Sequence, residues 1–152
     1  RLILLNGSPR YLDDGDYRGG LTPPQLQETI ARIQANYMGW ILAFAPAATA
    51  ASEGAGLSEF AKGLLDLSPD AALTVLGSIY EADLRDLAPH VTCPVEVLQS
   101  RHDIAVPVEV GVWLAEQLPT GTLHLLDVQG HLPHLTTPER LWPVFDEILR
   151  VA

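Results

Sequence analysis

The chain has 152 residues, 47% hydrophobic and 18% charged, a globular composition with enough apolar material for one domain. Its formal charge is −10 and Lys62 is its only lysine, so its surface repels phosphate backbones and anionic headgroups. Nucleic acid and membrane partners are therefore not expected, and no apolar run reaches membrane-spanning length.

The first element predicted is a strand, Leu2 to Leu5, aliphatic and closed by the turn signal Asn6-Gly7-Ser8-Pro9. A polar loop follows, from Arg10 to Gly20. Thr22-Pro-Pro-Gln25 then reads as a helix start, with a capping threonine, proline at the first position and glutamine three residues on. Leu26, Ile30, Ile33 and Tyr37 recur at helical spacing. Tyr37, Trp40, Ile41 and Phe44 continue on a second helix, which Pro46 disturbs, and Ala45 to Gly56 reads as an Ala/Gly/Ser connection. A third helix carries Leu57, Phe60, Leu64 and Leu67. A fourth opens on Ser68-Pro69-Asp70 and carries Leu73, Leu76 and Tyr80. Four short amphipathic helices between strands have the form of an insertion.

Strand and helix alternate again from Val91. An apolar run from Val95 to Gln99 leads into Ser-Arg-His-Asp103-Ile-Ala-Val-Pro, and a helix from Pro107 to Leu118 is expected to bury Val108, Val112, Ala115 and Leu118. A second run, Leu123 to Val128, leads into Gly130-His131-Leu-Pro-His134. The last helix, near Thr137 to Val151, shows Leu141, Val144, Phe145, Ile148 and Leu149 at spacings of three and four, with Pro143 in its early turns. Cys93, the only cysteine, sits at a strand entrance and reads as a small buried residue. A lone thiol without a signal peptide suggests the cytoplasm.

Strand, acid, helix, strand, histidine is the order of the second half of an α/β-hydrolase, whose triad follows the chain as Ser, Asp, His. Asp103 and His131 stand where the acid and base belong. Each has a plainer reading, Asp103 as a carboxylate capping the helix near Pro107 and His131 as a loop histidine. Their pairing after successive strands favours the triad. A nucleophile elbow reads G-x-S-x-G, and this sequence has none. Ser8 follows an early strand, but the residue after a nucleophile donates its N–H to the oxyanion hole, and here that residue is Pro9. Ser8 is a turn residue. The chain, opening in mid-strand without Met, reads as cut rather than complete, with strands and nucleophile expected upstream.

With these residues in place, the chain resembles the RsbQ-type stress-regulatory hydrolases of bacteria and their plant relatives, the strigolactone and karrikin receptors. The matching stretches are Gly7 to Asp13, Asn36-Tyr-Met-Gly-Trp40, Asp83 to Leu87, Val95 to Val110 and Gly130 to His134. The resemblance implies an α/β fold of parallel strands with flanking helices and a four-helix cap over an apolar pocket. Residues 1–19 are then a core strand and loop, 20–86 the helical cap, and 87–152 the core carrying the triad Asp and His.

The function expected is hydrolysis of a small, mostly apolar ester or lactone, with no metal or organic cofactor. This chain would supply Asp103 and His131 but not the nucleophile, so activity requires the missing half, covalent or as a second chain. A ligand sensor with little turnover, binding a small hydrophobic ligand and a signalling protein partner, is the competing reading. A stand-alone helical binding module is a third, which the half-sheet opposes. Trp40, Phe44 and Tyr80 are candidates to line the pocket or, equally, to fill a helical core. His134 invites a metal reading, but no Cys or carboxylate cluster with ligand spacing accompanies it, and a packing or loop-fixing role fits better. His90, His102 and His124 read as exposed. The glycines Gly19, Gly20, Gly54 and Gly56 read as loop residues, and no phosphate-binding glycine motif is present.

Overall fold

In the computed structural model, which describes residues 1–150, the aliphatic run Leu2–Leu5 forms strand β1. It pairs in parallel with β2, Val95–His102, and β2 pairs in parallel with β3, Gly121–Gln129, in the order β1-β2-β3. Leu2 lies opposite Val95 and Leu5 opposite Leu98. Side chains alternate across a strand, so one sheet supplies two apolar faces. Leu4, Val95 and Val97 pack to one side with Val106, Val110 and Leu114. Ile3, Leu5 and Leu98 pack to the other with Leu126, Leu141 and Ile148.

Two helices close these faces. On the first, α5, Val108–Gln117, buries Val110, Gly111 and Leu114. The expected stripe of Val108, Val112 and Ala115 is thus corrected, Val112 being exposed, while Leu118 is buried as expected. Gly111 decides the rotation: a Cβ there would stand 2.9 Å from the Cβ of Gln99. The helix axis can approach β2 closely only along that line. On the second face, α7, Pro138–Arg150, buries Leu141 and Ile148 and leaves Leu149 exposed. Pro143 lies inside this helix without ending it. Val151 and Ala152, which the last helix and the 87–152 segment were expected to include, lie outside the described residues.

Four helices stand between β1 and β2: α1 Pro23–Ala35, α2 Tyr37–Thr49, α3 Ala55–Leu65 and α4 Pro69–Glu81. The starts form as their residues dictate. Gln25 Oε1 accepts from the Thr22 N–H at 2.8 Å, and Ser68 Oγ accepts from the Ala71 N–H at 3.2 Å. Ile33, Trp40, Ile41 and Ala45 form their common core, with Phe60, Leu64 and Leu76 packed against it.

Three local expectations are corrected here. Ala45 to Thr49 are helical rather than part of a connection, and α2 runs through Pro46. The helix survives because Ala45, Ala48 and Thr49 are buried against neighbouring elements, which offsets the missing proline donor. Gly56 belongs to α3, where a Cβ would stand 2.3 Å from the Leu135 carbonyl oxygen, so it is a contact between helices rather than a loop residue. Leu67 falls beyond the end of α3 and is exposed.

The chain enters and leaves the helical insertion at one place. The Leu84 N–H donates to the Pro9 carbonyl at 2.8 Å, and Arg10 pairs with Asp83 at 2.8 Å. Arg85 bonds both Asp83 and Asp14, and its hydrogen bonds hold the Asp83 carboxyl down to about 2. Being solvent-accessible, these pairs set the path of the two connectors more than they add stability. Among the described residues no helix is long and apolar enough to cross a membrane.

Candidate active site

The carboxyl ends of β2 and β3 lie side by side, which is where open parallel sheets present their ligands and catalytic groups. The register slips there: Ser100 faces Leu126, but His102 faces Gln129. β3 carries one extra residue there, a bulge, and the strands stay joined beyond it, where the Gly130 N–H donates to the His102 carbonyl at 2.8 Å. Asp103 follows β2 directly and His131 follows β3 by two residues.

The two side chains meet. His131 Nδ1 and Asp103 Oδ2 are 2.8 Å apart. The Asp103 side chain is fully buried, with 0% exposure against 23% for His131. A carboxylate so placed needs donors, since burying an unpaired charge costs several kcal/mol. Its other oxygen accepts the N–H groups of Ala105 at 2.8 Å and Val106 at 3.2 Å. The helix-capping reading of Asp103 and the triad reading are therefore compatible: one oxygen organises the turn before α5, and the other faces the imidazole. Acceptance by Asp103 fixes the proton on Nδ1 and leaves Nε2 as the free base. Among the described residues nothing hydrogen-bonds Nε2.

His131 is also held by its backbone. Its N–H donates 2.7 Å to the Ala48 carbonyl, an end-of-helix acceptor of α2. Gly130 has a φ of +86°, and a Cβ there would stand 2.8 Å from the Thr49 carbonyl carbon and oxygen. Only glycine both adopts that conformation easily and admits α2 so closely.

Above His131 lies a cavity of about 300 Å³ between α2, α3, α4 and the loops at the strand ends. Trp40, Phe44 and Tyr80 line it together with His131, so all three pocket candidates share one space with the histidine. Trp40 also belongs to the helical core and stacks on Phe44 at 4.8 Å, so the alternatives of core and pocket both hold for it. Tyr11, which was not singled out, joins this wall and meets Tyr80 edge-on at 5.5 Å. Burial, the neighbouring Tyr80 and the Asp103 charge push its hydroxyl up to about 12. It remains a hydrogen-bond donor through the physiological range. Its position one residue beyond Ser8-Pro9-Arg10 gave no local sign of this.

The remaining candidates lie apart. Ser8 Oγ donates to the Arg10 carbonyl at 2.8 Å within its own turn. His134 is exposed on the short helix α6, Pro133–Thr136, so the expected packing role is corrected: the loop is fixed through Gly130 and His131 instead. His124 is half-buried rather than exposed, with Nε2 2.8 Å from Glu96 Oε2, because β2 and β3 bring the two side chains to one sheet face. His90 and His102 are exposed. Cys93 is half-buried at the start of β2. Among the described residues no group of three or more His, Cys, Asp or Glu could hold a metal ion.

A parallel sheet, an acid and a histidine paired across its strand ends, and a helical insertion before β2 together define the C-terminal half of an α/β-hydrolase fold. The chain belongs to the α/β-hydrolase superfamily, in the branch of the strigolactone and karrikin receptors, and matches the C-terminal half of those proteins. It is 38% identical over 146 residues to karrikin insensitive 2 receptor CA of Petunia hybrida, covering 95% of this chain and 54% of that protein. It is 36% identical over 142 residues to strigolactone esterase D14 of Arabidopsis thaliana, covering 93% and 53%. A hydrolase from Oleispira antarctica superposes with a TM-score of 0.89 at 27% identity, over 97% of this chain and 55% of that one. The chain thus spans about half the length of the curated relatives it matches. No protein-family model matches it.

Proposed function

We infer that this chain carries the general base and its orienting acid for a serine-type hydrolase of small carboxylic esters or lactones. The observation that carries the reading is the 2.8 Å contact of His131 Nδ1 with a fully buried Asp103, made at the floor of an apolar cavity. In this mechanism a serine from outside these residues attacks the ester carbonyl, and His131 Nε2 takes the serine proton. The resulting imidazolium returns a proton to the leaving alkoxide, giving the acyl-enzyme. Water then attacks the acyl carbon with His131 again as base, releasing the acid and restoring the serine. Asp103 keeps the proton on Nδ1 and stabilises the imidazolium. The mechanism calls for no metal or organic cofactor.

In this reading residues 20–86 are the cap, and 1–19 with 87–152 are the hydrolase core it covers. The nucleophile and further strands come from the N-terminal half of the same fold, covalently joined or as a second chain. Ser8 does not serve, since its hydroxyl is engaged within its turn and Pro9 supplies no oxyanion N–H. The cavity volume and its aromatic walls suit a small, mostly apolar substrate.

A second reading has support of its own. One relative is named a karrikin insensitive 2 receptor, and another a strigolactone esterase. The same walls could hold a hydrophobic ligand for sensing, with little turnover and with a signalling protein as partner. Steady turnover of p-nitrophenyl acetate by the full-length protein is the outcome expected of the hydrolase. A ligand-induced rise in melting temperature without turnover would transfer the conclusion to the sensor.

The pocket walls make a separate prediction. Phe44→Ala removes a half-buried wall residue that takes no part in proton transfer. It is expected to change the ratio of kcat/KM between acetyl and bulkier acyl esters by about tenfold, while acetyl ester hydrolysis changes little. Equal losses for small and bulky esters, with an unchanged melting temperature, would remove Phe44 from the pocket.

A further inference from the structure

Asn6 is the most fully engaged polar side chain near the candidate site, and nothing in the mechanism above uses it. It is 2% exposed and stands at the end of β1 with a φ of +49°. That left-handed conformation is one that asparagine tolerates better than most residues. Its Oδ1 accepts the Ser100 N–H at 2.7 Å. Its Nδ2 donates to Ser100 Oγ and to the His131 carbonyl, each at 2.9 Å. One amide thus joins three segments: the end of β1, the strand that delivers Asp103, and the loop that delivers His131.

The geometry points to Asn6 as the positioning residue of the catalytic base, an inference that rests on reading Asp103 and His131 as acid and base. The chemistry follows from what each group of His131 would lack without it. The His131 N–H is held by the Ala48 carbonyl and the ring by Asp103. The carbonyl is held by Asn6 Nδ2. Removing that bond lets the peptide between His131 and Leu132 turn, and the ring swings with it about the Asp103 contact. The same amide reports the place of β2 through Ser100, so acid and base are referred to one fixed point. A displacement of about 1 Å at a proton-transferring group can cost on the order of 10²-fold in rate. The aromatic walls Trp40, Phe44 and Tyr80 make no hydrogen bond to Asn6, so binding should suffer far less than proton transfer.

The test is made in the full-length protein with p-nitrophenyl acetate. Asn6→Gly removes the amide while keeping the positive φ accessible. Asn6→Asp fills the same volume, keeps the acceptor for Ser100 and loses the donor to His131. Ser100→Ala is the control, since it removes one buried hydrogen bond of Asn6 without touching the bond to His131. Rates are normalised to the folded fraction read from near-ultraviolet circular dichroism. Asn6→Asp decides the matter if Asn6→Gly does not fold.

Both Asn6 variants are expected to lose roughly 10²-fold in kcat with KM nearly unchanged, and Ser100→Ala to keep most of its kcat. A downfield proton resonance of His131 Nδ1–H is expected in the parent protein and in Ser100→Ala, and is expected to broaden or shift in the Asn6 variants. Parent-like kcat in the folded Asn6 variants, or an equal loss in Ser100→Ala, would overturn the positioning role. His131→Ala run alongside separates the two levels. If that variant turns over normally, the assignment of the base itself fails. If it is inactive while the Asn6 variants are not, only the role of Asn6 is lost.

Discussion

His131→Ala in the full-length protein is expected to lower kcat for ester hydrolysis by on the order of 10⁴- to 10⁶-fold, with folding preserved. The scale is that of removing the base from other serine hydrolases, where what remains comes from the oxyanion hole and substrate binding. The side chain is partly exposed and its backbone bonds to Ala48 and Asn6 do not depend on the ring. Truncation should therefore remove the base without dismantling the loop. Stopped assays with p-nitrophenyl acetate, beside a thermal melt, check both halves of the expectation. A melt within a few degrees of the parent with a loss under tenfold would be inconsistent with a base at this position.

Asp103→Asn is expected to cost about 10³- to 10⁴-fold, and the structure gives a specific reason. Oδ1 of Asp103 accepts two backbone N–H groups, from Ala105 and Val106. An asparagine must keep its carbonyl oxygen toward those donors, because turning the NH₂ toward them would set donor against donor. The NH₂ then faces His131 Nδ1 and demands an acceptor there. The proton moves to Nε2, and the base is lost to the wrong tautomer. The loss should fall in kcat rather than KM, since Asp103 is fully buried and does not face the cavity. Steady-state kinetics with histidine ¹⁵N resonances to report the tautomer would measure it. An Asp103→Asn variant with Nδ1 still protonated and full activity would show that the pair is structural.

Much of this arrangement is legible in the sequence because it rests on local chemistry. The apolar runs Leu2 to Leu5 and Val95 to Gln99 put apolar side chains on both faces of a strand, as strands of a parallel sheet do. The caps at Thr22 and Ser68 mark helix starts without reference to the rest of the chain. Asp103 and His131 are readable because each follows a strand in the order the triad requires. What was not legible depends on contacts between distant residues. In α5 the apolar residues are too many to single out a buried face, and Gly111 settles it only through its approach to Gln99. Ala45 to Thr49 has the composition of a connection, yet becomes helix because Gly130 gives it a surface to pack on. Asn6 followed by Gly7 reads locally as a turn. Its bonds to Ser100 and His131 span 94 and 125 residues of sequence, and no pattern in the neighbourhood of residue 6 reveals them.

The central claim is that Asp103 and His131 activate a serine lying outside these 152 residues, and covalent labelling tests it most directly. The full-length protein is treated with a serine-directed fluorophosphonate, digested, and the modified peptide located by mass spectrometry. One adduct is expected, on a serine outside this chain, absent at the same exposure time in His131→Ala and retained in His134→Ala, whose side chain is exposed and apart from the pair. An adduct on Ser8 or any other serine of this chain, or undiminished labelling in a folded His131→Ala variant, would contradict the account.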